Sequence, residues 1–246
     1  MEDSLIQTSQ LTKNFDGLTA VDKVNLEISK GEMRSIIGPN GAGKTTLLNL
    51  LTGDLRPSSG NIVFKGHEIT DWPTWKISRF GMIRSYQITS VFPDLSVFEN
   101  IRLAAQARTS TYNFFQDFES LRDVKKRTEE LLNYFDMSHL SQKPVSVLSH
   151  GEERYIELGM SLAAEPEVLL LDEPTAGLTP SETLEMTEMI RVISSDLTTI
   201  LIEHDMDMVM SISDWITVLH NGAILAEGSP DEIEEDEEVK EVYLGY

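Results

Sequence analysis

Short apolar runs alternate with longer amphipathic stretches along the chain. Clusters of Val, Ile and Leu predict strands over Leu5–Leu11, Val24–Ile28 and Met33–Ile37, and over Asn61–Lys65 after the turn residues Pro57-Ser58-Ser59-Gly60. Between Leu95 and Glu165 the strand pattern fades. Helical periodicity replaces it at Val97–Ala107, at Asp117–Phe135 and in a third segment beginning near His150. Strands return at Val168–Leu171, Thr199–Ile202, Trp215–Leu219 and Ala223–Ala226, with a helix over Pro180–Ser195. Alternating strands and helices predict an α/β fold with a largely parallel sheet, interrupted by a helical insert. The expected division is a discontinuous α/β core of residues 1–93 and 167–228, a helical lobe of 94–166 and an acidic extension of 229–246.

Composition narrows the chemistry. The 246 residues contain no cysteine, which removes disulfides, zinc–thiolate sites, iron–sulfur clusters and cysteine nucleophiles. The opening Met1-Glu2-Asp3-Ser4 is acidic where a secretory signal needs a basic segment, and runs such as Val168–Leu171 and Ile200–Ile202 are too short to span a bilayer. The expectation is a soluble intracellular protein, reaching a membrane only through another chain. Its net charge of −21 repels nucleic-acid phosphate and anionic lipid alike. Eight acids against Lys240 crowd the tail from Ser229 to Tyr246, but the remaining surface is acidic too. Scarce lysine and arginine beside abundant acid favour adaptation to molar salt over ordinary acidity.

The most specific motif is Gly38-Pro39-Asn40-Gly41-Ala42-Gly43-Lys44-Thr45, a full match to the phosphate-binding pattern G-x-x-x-x-G-K-[ST] between a predicted strand and a helix over Thr45–Leu51. Gly38, Gly41 and Gly43 let the backbone wrap so that N–H groups, that of Asn40 among them, face a phosphate, and the helix N-terminus adds partial positive charge. Lys44 reaches the β- and γ-phosphates, the Thr45 hydroxyl suits Mg²⁺ and Thr46 is placed for the α-phosphate. The run Val168-Leu169-Leu170-Leu171-Asp172-Glu173 brings Asp172 to the carboxyl end of a buried strand, to complete the Mg²⁺ shell. Glu173 beside it is the natural base for an attacking water.

Between these motifs, Leu148-Ser149-His150-Gly151-Glu152 resembles the signature of ATP-binding-cassette (ABC) ATPases. Gln87, in Arg84-Ser85-Tyr86-Gln87, resembles the family's Q-loop, and His204 its switch histidine. Thr175-Ala176-Gly177-Leu178-Thr179-Pro180 resembles the D-loop, and Phe15 stands where the family has an adenine-stacking aromatic. Taken singly, these residues also admit plainer readings: Phe15 as a strand-edge core residue, Ser149 as a helix cap, His204 as a neutral surface or core histidine. The resemblance implies a P-loop NTPase (RecA-like) core with an antiparallel β subdomain and an inserted helical subdomain. It also implies that Phe15 stacks on adenine, worth about 1–3 kcal/mol for base–aromatic contacts, and that Gln87 touches the metal and water. His204 would contact the γ-phosphate, and Ser149 and Gly151, placed ahead of a helix over Glu153–Ala163, would bind ATP held by a second cassette.

Two motifs depart from the pattern: the signature has His150 where glycine is usual, with Glu152 for glutamine, and the D-loop has Thr179 for aspartate. Hydrolysis is expected to survive, with altered coupling between two sites. Within the family, Phe15-Asp16-Gly17-Leu18-Thr19-Ala20-Val21, Leu95-Ser96-Val97-Phe98-Glu99-Asn100, Glu157-Leu158-Gly159-Met160 and Val242-Tyr243-Leu244-Gly245 resemble the ATPases of branched-chain amino-acid and amide importers. Leu148-Ser149-His150-Gly151 and Val218-Leu219-His220-Asn221-Gly222 resemble the urea branch of that group. The implied partners are transmembrane permease subunits, docked on a groove from Gln87 to Glu99, a second ATPase chain in a homodimer or heterodimer and, indirectly, an extracytoplasmic solute-binding protein. The implied place is the inner face of the cell membrane. A soluble ABC ATPase acting on ribosomes or DNA is the competing class; it usually needs a second cassette, a coiled coil or a basic arm. A sensor that never hydrolyses conflicts with the pair Glu173 and His204.

Overall fold

The computed structural model describes residues 4–85, 91–108 and 118–244. The chain opens with β1 (Ser4–Phe15), β2 (Leu18–Val24), β3 (Glu27–Ser29) and β4 (Met33–Ile37), followed by α1 (Lys44–Leu51). Then come β5 (Ser59–Phe64), β6 (His67–Glu68), α2 (Thr74–Phe80) and β7 (Met82–Ser85). Three helices follow, α3 (Val97–Arg108), α4 (Phe118–Tyr134) and α5 (His150–Ala163). The last part runs β8 (Val168–Asp172), α6 (Pro180–Ser194), β9 (Thr198–Ile202), α7 (Met206–Ile212), β10 (Trp215–His220) and β11 (Ala223–Gly228), then α8 (Pro230–Glu235) and α9 (Glu237–Leu244).

Two sheets form. One is ordered β11-β10-β4-β9-β8-β7, parallel throughout except for the β10–β11 hairpin. Strands β4, β8 and β9 are buried at every residue, which accounts for their continuous rather than alternating apolar runs. The other sheet is antiparallel: β1 pairs with β5 on one edge and with β2 and β3 in succession on the other. The hairpin from β1 to β2 turns through Asp16 and Gly17, both at positive φ.

Leu26, Phe64, Leu47 and Leu170 belong to one core that joins the antiparallel sheet to α1 and the parallel sheet. The other side of the parallel sheet, with Met33, Leu169 and Leu201, packs on Val97, Ile101, Leu131 and Ile156 of the three-helix region. Ala42 of the P-loop turn between β4 and α1 packs into the first of these cores.

Several expectations need correction. Val24–Ile28 is two strands: Asn25 Oδ1 takes the Gln10 N–H at 2.8 Å, and Gln10 and Lys23 adopt positive φ, so the chain breaks register before β3 begins. Strands β2 and β7 and helix α2 escaped the periodicity reading. The third predicted helix does begin at His150, and the narrower span Glu153–Ala163 given for it at the signature starts three residues late. The acidic extension folds as the two helices α8 and α9. It breaks at Asp236, and Ile233 and Val239 are buried against Val209, Ile216 and Val218.

Candidate active site

The P-loop owes its path to two glycines. Gly38 lies at φ 152°, and a Cβ there would come within 2.2 Å of the Leu219 carbonyl oxygen. Gly43 lies at φ 105°, with a Cβ position 2.3 Å from the Ala20 carbonyl oxygen. Neither contact leaves room for a side chain, so backbone approaches backbone where a phosphate needs N–H groups. Lys44, the first residue of α1, is buried, and its ammonium donates to the carbonyls of Gly38 at 2.6 Å and Pro39 at 3.1 Å. Burial lowers its pKa from the ordinary value of 10.5, against the pull of Glu173 and then Asp172.

Asp172 ends β8 with 3% of its surface exposed. Its Oδ2 accepts from Arg84 Nη2 at 2.6 Å, and the same guanidinium donates to Asn49 Oδ1 and lies 3.7 Å from Asp54. Arg84 carries no local signal of this role in the sequence, since strand β7 itself escapes the periodicity reading. The next residue, Glu173, takes a left-handed φ of 49°, a conformation that costs about 1–3 kcal/mol away from glycine. Its N–H donates to the Ile202 carbonyl at 2.9 Å, and its Oε1 meets His204 Nε2 at 2.7 Å.

A cleft of about 490 Å³ opens over this arrangement. From the P-loop it is lined by Asn40, Gly41, Gly43, Lys44, Thr45 and Thr46, and from elsewhere by Phe15, Glu173 and His204. Phe15 is exposed at the end of β1, with the Lys13 ammonium 5.1 Å from its ring centroid. Gln87 lies outside the described residues.

Ser149 and Gly151 do not line the cleft. Ser149 caps α5, its hydroxyl accepting from the Glu152 N–H at 3.2 Å while its own N–H donates to Glu152 Oε2 at 2.7 Å. Gly151 faces α6, where a Cβ would stand 2.6 Å from Glu182 Oε1. Glu182 in turn accepts from the Thr179 N–H at 2.8 Å and hydroxyl at 2.7 Å, closing a capping box on α6. His150 Nε2 is 3.2 Å from the Cβ position of Gly177. The two departures from the family pattern, His150 and Thr179, therefore flank one contact between signature and D-loop, and threonine caps α6 as an aspartate does.

The residues present fit Mg²⁺ and a nucleoside triphosphate. The glycine cradle admits no side chain, and the Thr45 hydroxyl with the Asp172 carboxylate are the hard oxygen donors that Mg²⁺ takes.

Comparison with known proteins agrees with this geometry. Residues 21–176 match the ABC transporter family, and residues 223–246 match the C-terminal element described as branched-chain amino acid ATP-binding cassette transporter. The high-affinity branched-chain amino acid transport ATP-binding protein BraF of Pseudomonas aeruginosa is 37% identical over 100% of this chain and 99% of its own length. LivG of Escherichia coli K12, of the same description, is also 37% identical, over 100% and 99%. A crystal structure of an ATP-binding cassette of an ABC transporter in its ADP conformation superposes with a TM-score of 0.84, 28% identity and 99% coverage of both chains. A nucleotide-free cassette gives 0.83, 27% identity, and 99% and 100% coverage. Cleft, motifs and relatives converge: the chain belongs to the ABC transporter family and is one of its ATPase subunits.

Proposed function

We propose that this ATPase powers uptake of branched-chain amino acids, or of a related small amide, through membrane-spanning permease partners. The observation that carries the reading is the meeting of the P-loop with Glu173 and His204 around one cleft, in a chain similar over its whole length to branched-chain amino acid transport proteins.

In this reading Phe15 stacks on adenine, the N–H groups of the loop and Lys44 hold the phosphates, and Thr46 touches the α-phosphate. Thr45 and Asp172 would hold Mg²⁺, which would supply positive charge against the phosphates. Arg84 keeps the Asp172 carboxylate aimed. Glu173 takes a proton from the attacking water as its oxygen bonds to the γ-phosphorus and the bond to ADP breaks. His204, held by Glu173, aligns that water and the γ-phosphate; Gln87 keeps the role its motif implies.

Because Ser149 and Gly151 lie outside their own cleft, they serve the ATP of a second cassette in a head-to-tail pair, whether a second copy or a near-homologue. Permease docking on the stretch from Gln87 to Glu99 follows from the family resemblance. No helix among the described residues is long and apolar enough to cross a membrane, so attachment runs through the permease. The charge of −21 supports work at high salt.

Uptake of labelled leucine and labelled urea, in cells with and without this chain at the host's own salt, tests the proposal. Loss of leucine uptake alone supports the amino-acid reading, loss of urea uptake alone the amide branch, and no change in either overturns both. Lys44→Ala should abolish nucleotide binding in calorimetry.

A further inference from the structure

The site holds a buried carboxylate to which neither the phosphate chemistry nor the family motifs assign a task. Glu203, between the end of β9 and His204, is 4% exposed. Its Oε1 accepts two donors from Thr175, the backbone N–H at 2.9 Å and the hydroxyl at 2.5 Å. Its Oε2 accepts the His204 N–H at 3.0 Å. One carboxylate thus ties the loop that follows Glu173 to the backbone of the switch histidine. Two further bonds cross the same gap, from Glu173 N to Ile202 O at 2.9 Å and between the side chains of Glu173 and His204 at 2.7 Å.

We propose that Glu203 is a positioning residue for ATP hydrolysis, locking the Glu173 loop and His204 into one unit so that base and histidine face the water together. The proposal rests on the reading of Glu173 and His204 given above. Its chemical logic is that all three donors point inward and nothing asks Glu203 to donate. A carboxylate is acceptor-only and meets this demand with both oxygens. A glutamine cannot. Whichever way its amide turns, an NH₂ group faces the N–H of Thr175 or the N–H of His204, and one of the two loops is released. An aspartate keeps the charge but is one methylene too short to span both. Glu203 contributes nothing to the phosphate cradle, so loss of the clamp should alter turnover and not nucleotide affinity. Misplacing a reacting group by an ångström costs on the order of 100-fold in rate.

The test compares wild type, Glu203→Gln and Thr175→Val in the full chain, measuring steady-state ATP hydrolysis and, separately, binding of a fluorescent ATP analogue. Thr175→Val removes the hydroxyl donor alone and serves if Glu203→Gln fails to fold, as a thermal melt reveals. The expected result is kcat reduced at least threefold, and toward 100-fold in Glu203→Gln, with analogue affinity within twofold of wild type. A kcat within threefold of wild type overturns the proposal. So does an affinity that falls in step with kcat, the mark of general disruption. Glu173→Gln, measured alongside, separates the two levels of the argument. If it turns over at the wild-type rate, the site assignment itself fails; if it is inactive while Glu203→Gln is unimpaired, only the clamp falls.

Discussion

Glu173 and His204 touch across the ends of two neighbouring strands, Oε1 to Nε2 at 2.7 Å. The register of the parallel sheet brings this about: Asp172 of β8 lies opposite Ile202 of β9, so the residues just past each strand end come out side by side. Ligands in open α/β sheets bind at this carboxyl end. Only the left-handed turn at Glu173 lets its side chain lean toward the histidine while its N–H stays bonded to Ile202. His204→Ala should therefore leave nucleotide affinity unchanged and lower kcat by roughly 10- to 100-fold, as steady-state hydrolysis with parallel binding measurements would reveal.

Arg84 and Asp172 make a second prediction. Their ion pair is almost wholly enclosed, with side chains 6% and 2% exposed. Removing one partner of such a pair strands a charge and costs about 3–5 kcal/mol. Arg84→Met should lower the unfolding free energy measured by urea denaturation by that amount, and Arg84→Met combined with Asp172→Asn should recover much of it. If the single variant is as stable as wild type, the carboxylate does not depend on its counter-ion.

Both pairs mark where sequence reading ended. The P-loop, Asp172 and Glu173 could be read from residue types at fixed offsets from a strand end, His204 only from its resemblance to the family's switch histidine, and strand β4 to the residue from its apolar run. Arg84 and Glu203 could not. Each acts by a side chain reaching another strand or loop, and no local spacing encodes such a contact. Strand β7 was hidden for the same reason: its four residues, Met82-Ile83-Arg84-Ser85, make a strand only because β8 is there to pair with them. The start of α5 near His150 was legible, and Gly151 is needed inside its first turn to make room for Glu182.

The tail is a docked element and its anchor can be tested. Ile233 is buried against Val209, Ile216 and Val218. Ile233→Ala should cost about 2–5 kcal/mol by cavity formation, measured by chemical denaturation; a change within error would place the tail outside the cooperative fold.

Acid should loosen the caps before the cores. The carboxyl pKa values of Glu182 and Glu232 are held below 4.5, the former by the hydroxyl and then the N–H of Thr179, the latter by the N–H and then the hydroxyl of Ser229. A carboxylate whose folded pKa is depressed contributes stability above its unfolded value and loses it as pH falls through the folded one. The first turns of α6 and α8 should therefore fray as pH drops below 4.5 and stay capped above it. Hydrogen exchange at the Glu182 and Glu232 amides, followed across that range, checks this; protection unchanged in acid would contradict it.

The central claim is that Glu173 performs the chemistry in a cleft whose binding elements do not depend on it. Its most direct test is Glu173→Gln with Mg²⁺ and ATP, followed by single-turnover hydrolysis and by size-exclusion chromatography. The account predicts ATP bound and intact, hydrolysis lower by two orders of magnitude or more, and the chain accumulating as a stable pair. Hydrolysis at the wild-type rate would contradict it.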